Sequence, residues 1–174
     1  MIKKYVNNFF SLFGYIIQKK NNRKKFIDNL YPILIKKEHP IIFDVGASKG
    51  QSIERYQRLY KNSIIHSFEP IENECNLLKE KFKNNPNIYL SNVGVGDQLS
   101  EGLINITKNT GHSSFLNLKK NTRWINERSK SAGVKSNEYI SKQQNVSIIT
   151  LDEYCKKNNI GNIDILKIDT QGYE

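Results

Sequence analysis

Ten residues, Ile41–Gly50 (IIFDVGASKG), constrain this chain more than any other stretch. A short apolar run, the right length for a buried strand, ends at Val45 and meets a turn bounded by two glycines. The chain then passes into Gln51–Tyr60, where Ile53, Tyr56 and Tyr60 recur at helical spacing. Gly46 allows a tight turn that a side chain would block, and Gly50 lets the next helix start close to the strand. A strand–turn–helix of this kind opens a nucleoside-binding α/β fold.

The spacing of the glycines narrows the ligand. The pattern is G-x-x-x-G rather than G-x-G-x-x-G, and the missing middle glycine is the one that admits a dinucleotide pyrophosphate. S-adenosylmethionine has no pyrophosphate, so the loop favours it over NAD, with Gly46, Ala47 and Gly50 as candidate contacts. Backbone N–H groups at the helix start favour an anion such as that cofactor's carboxylate. Asp44, at the strand end, is placed for the amino end of the ligand. Glu69 closes the next strand, where an acid accepts both ribose hydroxyls. Asn92 follows the third strand and is a candidate for the adenine edge, or simply a turn-forming residue.

The rest of the chain keeps this rhythm. Strands are expected at Ile41–Val45, 63–68, 87–90 and Ile163–Ile168, with helices over Gln51–Tyr60 and Glu72–Phe82, giving a parallel sheet with right-handed crossovers. Residues 92–97 read as a turn. Gly102–Thr107 reads as a half-exposed strand that Gly111–Leu118 is a candidate to pair with. Lys119–Gln144 is polar and irregular, with a short helix near Trp124. Val146–Ile149 is strand-like, and Thr150 with Glu153 forms a capping box. The fold class is therefore α/β, Rossmann-like. Because a doubly wound sheet continues past its fourth core strand, the domain reads as truncated there, with its C-terminal part missing.

Charge divides the chain. Residues 1–38 carry nine Lys/Arg and two acids, a net +7, which leaves +3 for residues 39–174 out of a total of +10. The first segment reads as a basic amphipathic helical arm. Tyr5, Phe9, Phe13 and Ile16 or Ile17 fall on one face, followed by the Lys19–Lys25 cluster and a second helical piece at Phe26–Ile35. The arm is read as docking on the domain edge, with peripheral membrane contact as the alternative. Nucleic acid is disfavoured as a partner because the excess does not lie on the domain. No apolar stretch approaches the roughly 20 residues a transmembrane helix needs. Cys75 and Cys155 lack metal or disulfide spacing and read as reduced, in a cytoplasmic protein. Oligomeric state is not readable.

The segments FDVGASKG, SFEP, NVGVGD, GHSSF and, most specifically, TLDEYCKKNNIGNIDILKIDTQGYE make residues 40–174 resemble the FkbM-type methyltransferases. The resemblance implies a class I methyltransferase fold, S-adenosylmethionine as methyl donor, and O-methylation of a sugar, glycan or natural-product hydroxyl. Two positions depart from the family pattern. Gln171 stands where Glu is usual, losing a charge and any base function, and Ser48 stands where Asn is usual.

Methyl transfer is an in-line displacement that needs alignment and, for a hydroxyl acceptor, a base. Asp169 ends the strand expected beside the first one and is the catalytic candidate. Glu174 is a weaker one. Lys167 reads as a solvated strand residue. His112, in the GHSSF loop, is a candidate for the acceptor pocket, and His39 and His66 lack partners at useful spacing. No metal is required, since Asp164 lies too far along the strand from Asp169 to share a cation with it.

Overall fold

The computed structural model describes residues 22–119 and 122–173. The chain divides into two units between Lys37 and Glu38. In the first, a 13-residue helix, α1 (Asn22–Leu34), carries Pro32 in its last turn. The stripe expected from Tyr5 to Ile17 lies outside the described residues.

The second unit is built on β1 (Ile41–Val45), α2 (Gln51–Leu59), β2 (Ile64–Phe68), α3 (Glu72–Phe82) and β3 (Ile88–Ser91). It continues through β4 (Gly94–Val95), β5 (Ser100–Thr107), α4 (Arg123–Ser131), β6 (Ile140–Ile149), α5 (Leu151–Lys157) and β7 (Ile165–Ile168). Two single 3-10 turns lie at Thr110–His112 and Ser136–Glu138.

Four strands form a parallel sheet in the order β3-β2-β1-β7. β1 is interior and buried on both faces, which is why four of its five residues are apolar rather than alternating, Asp44 being the exception. Phe43, Val45 and Phe68 pack with Leu151, Tyr154 and Cys155 of α5. Asp44 reaches Ser52 of α2 from the other face. The helices therefore cover both faces. The jump from β3 to β7 across β1 makes the carboxyl ends of β1 and β7 a topological switch point, the usual ligand crevice of such sheets.

Between β3 and α5 the chain inserts a second sheet of order β4-β6-β5. Its β5 pairs antiparallel with β6, and β4 lies parallel to β6. Ile71, Ile104, Ile106 and Val146 form its core, with Phe115 against them. This sheet changes three expectations. Residues 92–97 contain the short β4. The partner of β5 is β6, and the 111–118 stretch contributes one bridge, Asn105 with Ser114. β6 begins at Ile140, inside the stretch expected to be irregular. The helix near Trp124 forms as α4, capped by Thr122. α5 is capped by the Thr150 hydroxyl, which accepts from the Glu153 N–H at 3.1 Å.

Candidate active site

A cleft of about 610 Å³, open solvent included, lies at the carboxyl ends of β1, β2 and β7. Gly46 and Ser48 of the first turn, Glu69 at the end of β2, and Asp169 after β7 line it. The inserted sheet supplies another part of the wall through Thr110, Gly111 and Ser113 to Phe115.

Glu69 is the most enclosed charge in this cleft, only 4% exposed. Its Oε2 accepts from the Ser48 N–H at 2.7 Å and its Oε1 from the Ile71 N–H at 3.0 Å. Burial pushes its carboxyl above the usual range, the two N–H groups pull the other way, and the nearby Glu74 and Asp44 charges add to the rise. An ionised carboxylate has about four acceptor positions. The backbone takes two of them, so acceptor capacity remains for ligand hydroxyls. The turn that carries Glu69 is itself gripped. Asn92 Nδ2 donates to the carbonyls of Glu69 (2.9 Å) and Pro70 (3.1 Å), and Gln144 Nε2 to that of Pro70 (3.0 Å).

The Ser48 N–H reaches Glu69 because Ser48 adopts φ 49°, a left-handed conformation that Asn tolerates better than Ser. The N–H groups of Gly46 and Ala47 both donate to the Phe68 carbonyl, and that of Gly50 to the Ala47 carbonyl. These donors are used within the fold, so the N–H groups of Gly46, Ala47 and Gly50 are spent on backbone carbonyls. The N–H groups that α2 presents at its first turn lie beyond them.

Gly46 has φ 78°, and a Cβ there would lie 2.1 Å from the Asp169 carbonyl oxygen. The glycine thus lets β1 and β7 approach at their ends, where the Asp169 N–H donates to the Val45 carbonyl. The Asp169 side chain stays open, 56% exposed, and its Oδ1 accepts from Gln171 Nε2 at 2.9 Å. Gln171 has φ 57°, and its carbonyl accepts from Ser114 Oγ at 3.1 Å, which ties this corner to the inserted sheet.

Asp44 lies behind the turn, fully buried. It accepts from Ser52 Oγ at 2.6 Å and pairs with Lys167 Nζ at 3.0 Å. Burial raises its carboxyl, and Lys167 opposes that rise. Lys167 is not a solvated strand residue as expected. It faces Asp44 in the β1–β7 register, is only 24% exposed, and donates to the carbonyls of Val45 (3.3 Å) and Gly46 (2.7 Å).

Of the residues read from the sequence, Gly46, Glu69 and Asp169 come together on one cleft. Asp44, Ala47, Gly50 and Asn92 do not line it. Ala47 is buried in the turn. A Cβ on Gly50 would meet Leu78 and Phe82 of α3, so its closeness serves helix–helix packing rather than approach to the strand. His112 is half-buried. Its Nδ1 is 2.6 Å from the Tyr139 hydroxyl and its ring packs edge-on to Trp124. Burial and the Arg128 charge hold its imidazole below the usual range. His66, which has no sequence-near partner, lies 2.9 Å from the Tyr154 hydroxyl. Asp164 accepts from the Ile41 N–H at the start of β1. Glu174 lies outside the described residues. No group of three or more His, Cys, Asp or Glu is placed to hold a metal ion among the described residues.

A mixed α/β architecture with a parallel sheet and its cleft at the switch point is consistent with the Rossmann-like methyltransferases. The Methyltransferase FkbM domain matches residues 44–174, and the chain belongs to the FkbM methyltransferase family. No curated protein matches it. Among the described residues no helix is long and apolar enough to cross a membrane.

Proposed function

We propose that this chain transfers the methyl group of S-adenosylmethionine to a hydroxyl of a sugar, glycan or natural product. The observation that carries the proposal is the Glu69 carboxylate, buried at the end of β2 yet lining the cleft with acceptor capacity left. S-adenosylmethionine, when bound, supplies a methyl carbon already activated by sulfonium charge. Glu69 would hold the ribose hydroxyls, and the Gly46 turn would form the floor of that site. Asp44 and Asn92 act one step back, Asp44 beneath the turn and Asn92 on the Glu69–Pro70 carbonyls.

On the acceptor side Asp169 is exposed and oriented by Gln171. Its carboxylate accepts a hydrogen bond from the acceptor hydroxyl and takes its proton as the oxygen attacks. Gln171 acts as a donor to Asp169, which is consistent with Gln replacing the Glu usual in this family. The near-neutral charge of residues 39–174 favours an uncharged acceptor over nucleic acid. The free thiols Cys75 and Cys155 fit a reducing compartment such as the cytoplasm.

Glu69→Ala should weaken S-adenosylmethionine binding at least about tenfold, near 1.4 kcal/mol. Unchanged affinity would remove the ribose role. Labelled methyl groups should appear on sugar or natural-product hydroxyls as ethers, and label appearing on RNA or DNA instead would overturn the acceptor class.

A further inference from the structure

We infer that Lys167 is a positioning residue for the methyl-donor site, setting the turn between β1 and α2 through the Val45 and Gly46 carbonyls. The inference rests on the reading of the cleft as that donor site. A lysine in the middle of a sheet strand normally extends to water, and this one does not. Its Nζ lies 2.7 Å from the Gly46 carbonyl, 3.3 Å from the Val45 carbonyl and 3.0 Å from Asp44 Oδ1. It is also 4.0 Å from Asp169 Oδ2. One ammonium group therefore joins the end of β1, the first glycine of the turn and the acceptor-side acid.

The arrangement follows from register. Lys167 is opposite Asp44, and Asp44 is opposite Ser67 on its other side. A buried carboxylate without a cation is costly, so Asp44 and Lys167 each account for the other. The charge pair alone does not account for the two carbonyl contacts. Those fix the orientation of the Val45–Gly46 and Gly46–Ala47 peptides, hence the direction in which the Gly46 and Ala47 N–H groups point. Both now point at the Phe68 carbonyl, at 3.0 and 3.1 Å. Glu69 follows directly, and its carboxylate is held by the Ser48 N–H of the same turn. Lys167 thus reaches Glu69 through the turn, without touching the cleft.

The test must separate this role from simple charge balance. Removing Lys167 alone would leave Asp44 buried without a cation, so the comparison is Asp44→Asn against the pair Asp44→Asn with Lys167→Met. Residue 44 is neutral in both, and only the second lacks the lysine on the carbonyls. Amide hydrogen exchange at Gly46 and Ala47 reads the turn without any ligand. Calorimetric titration with S-adenosylmethionine reads the site.

The expected result is exchange at both amides at least about tenfold faster in the double variant than in Asp44→Asn, with folding retained. S-adenosylmethionine affinity should fall by about tenfold or more. In turnover, KM for S-adenosylmethionine should rise by a similar factor. Equal amide protection in the two variants would overturn the inference and leave Lys167 as a charge partner only. Faster exchange in a chain whose unsubstituted form binds no S-adenosylmethionine would uphold the lysine's hold on the turn and reject the donor-site reading instead.

Discussion

Replacing Gly46 with alanine tests how closely β1 and β7 must approach to make the cleft. Two costs add. At φ 78° an L side chain is left-handed, which costs roughly 1–2 kcal/mol. The new Cβ would also lie 2.1 Å from the backbone oxygen of Asp169, and reaching even 3.0 Å needs a shift of about 0.9 Å. The two backbones are tied on every side. Gly46 donates to Phe68, Asp169 donates to Val45, and Lys167 holds the Gly46 carbonyl. A shift of that size breaks at least one of these bonds, at about 1 kcal/mol net, and strains the strand ends. The total is about 3 kcal/mol.

Gly133→Ala is the control, because Gly133 has φ 70° and open space around it. It carries the conformational cost alone, about 1–2 kcal/mol. Urea denaturation of both variants measures the difference, which should be about 1–2 kcal/mol. Equal destabilisation would show that the close approach is not a constraint and would refute the geometry of the site's floor.

Three further outcomes follow from individual residues. Ser48→Asn should stabilise the fold by about 0.5 kcal/mol, because Asn accepts φ 49° more readily, and a destabilised variant would contradict the strain assigned to Ser48. His66 is held by burial down to about 4, below its ordinary 6.5. It is neutral in the fold, so its contribution is complete above pH 6.5 and is lost as pH falls from 6.5 towards 4. The loss amounts to at most about 3 kcal/mol. Denaturation midpoints at pH 7.5 and 4.5 should therefore fall further for the unsubstituted chain than for His66→Gln, and parallel falls would reject the assignment. Asp169→Asn should lower kcat about a hundredfold while changing KM for S-adenosylmethionine little, whereas a KM effect alone would place Asp169 in binding rather than proton removal.

The parts legible in the sequence were those with a local cause. The run Ile41–Val45 and its glycine turn announced a buried strand and its exit, and Glu69 followed from the length of the next strand. The placement of Asp169 beside β1 followed from the order of such sheets. What was not legible depended on pairing. Ser141–Asn145 is polar at every position. It is a strand only because β5 lies beside it, and no periodicity within it signals that. Lys167 looked solvated because a single strand does not reveal its neighbour. Only the register with Asp44 turns it into a half-buried, paired cation. Asn92 and Gln144 are similar, since their partners are the carbonyls of a turn at Glu69–Pro70 set by other elements. The contribution of Thr110, Gly111 and Ser113 to Phe115 to the cleft wall likewise depends on residues distant in sequence.

Titration of the full chain with S-adenosylmethionine and, in parallel, with NAD tests the central claim most directly. The account predicts saturable one-to-one binding of S-adenosylmethionine, weakened at least about tenfold by Glu69→Ala, and no binding of NAD, whose pyrophosphate the G-x-x-x-G spacing disfavours. Absence of S-adenosylmethionine binding, or NAD binding that Glu69→Ala also weakens, would contradict it.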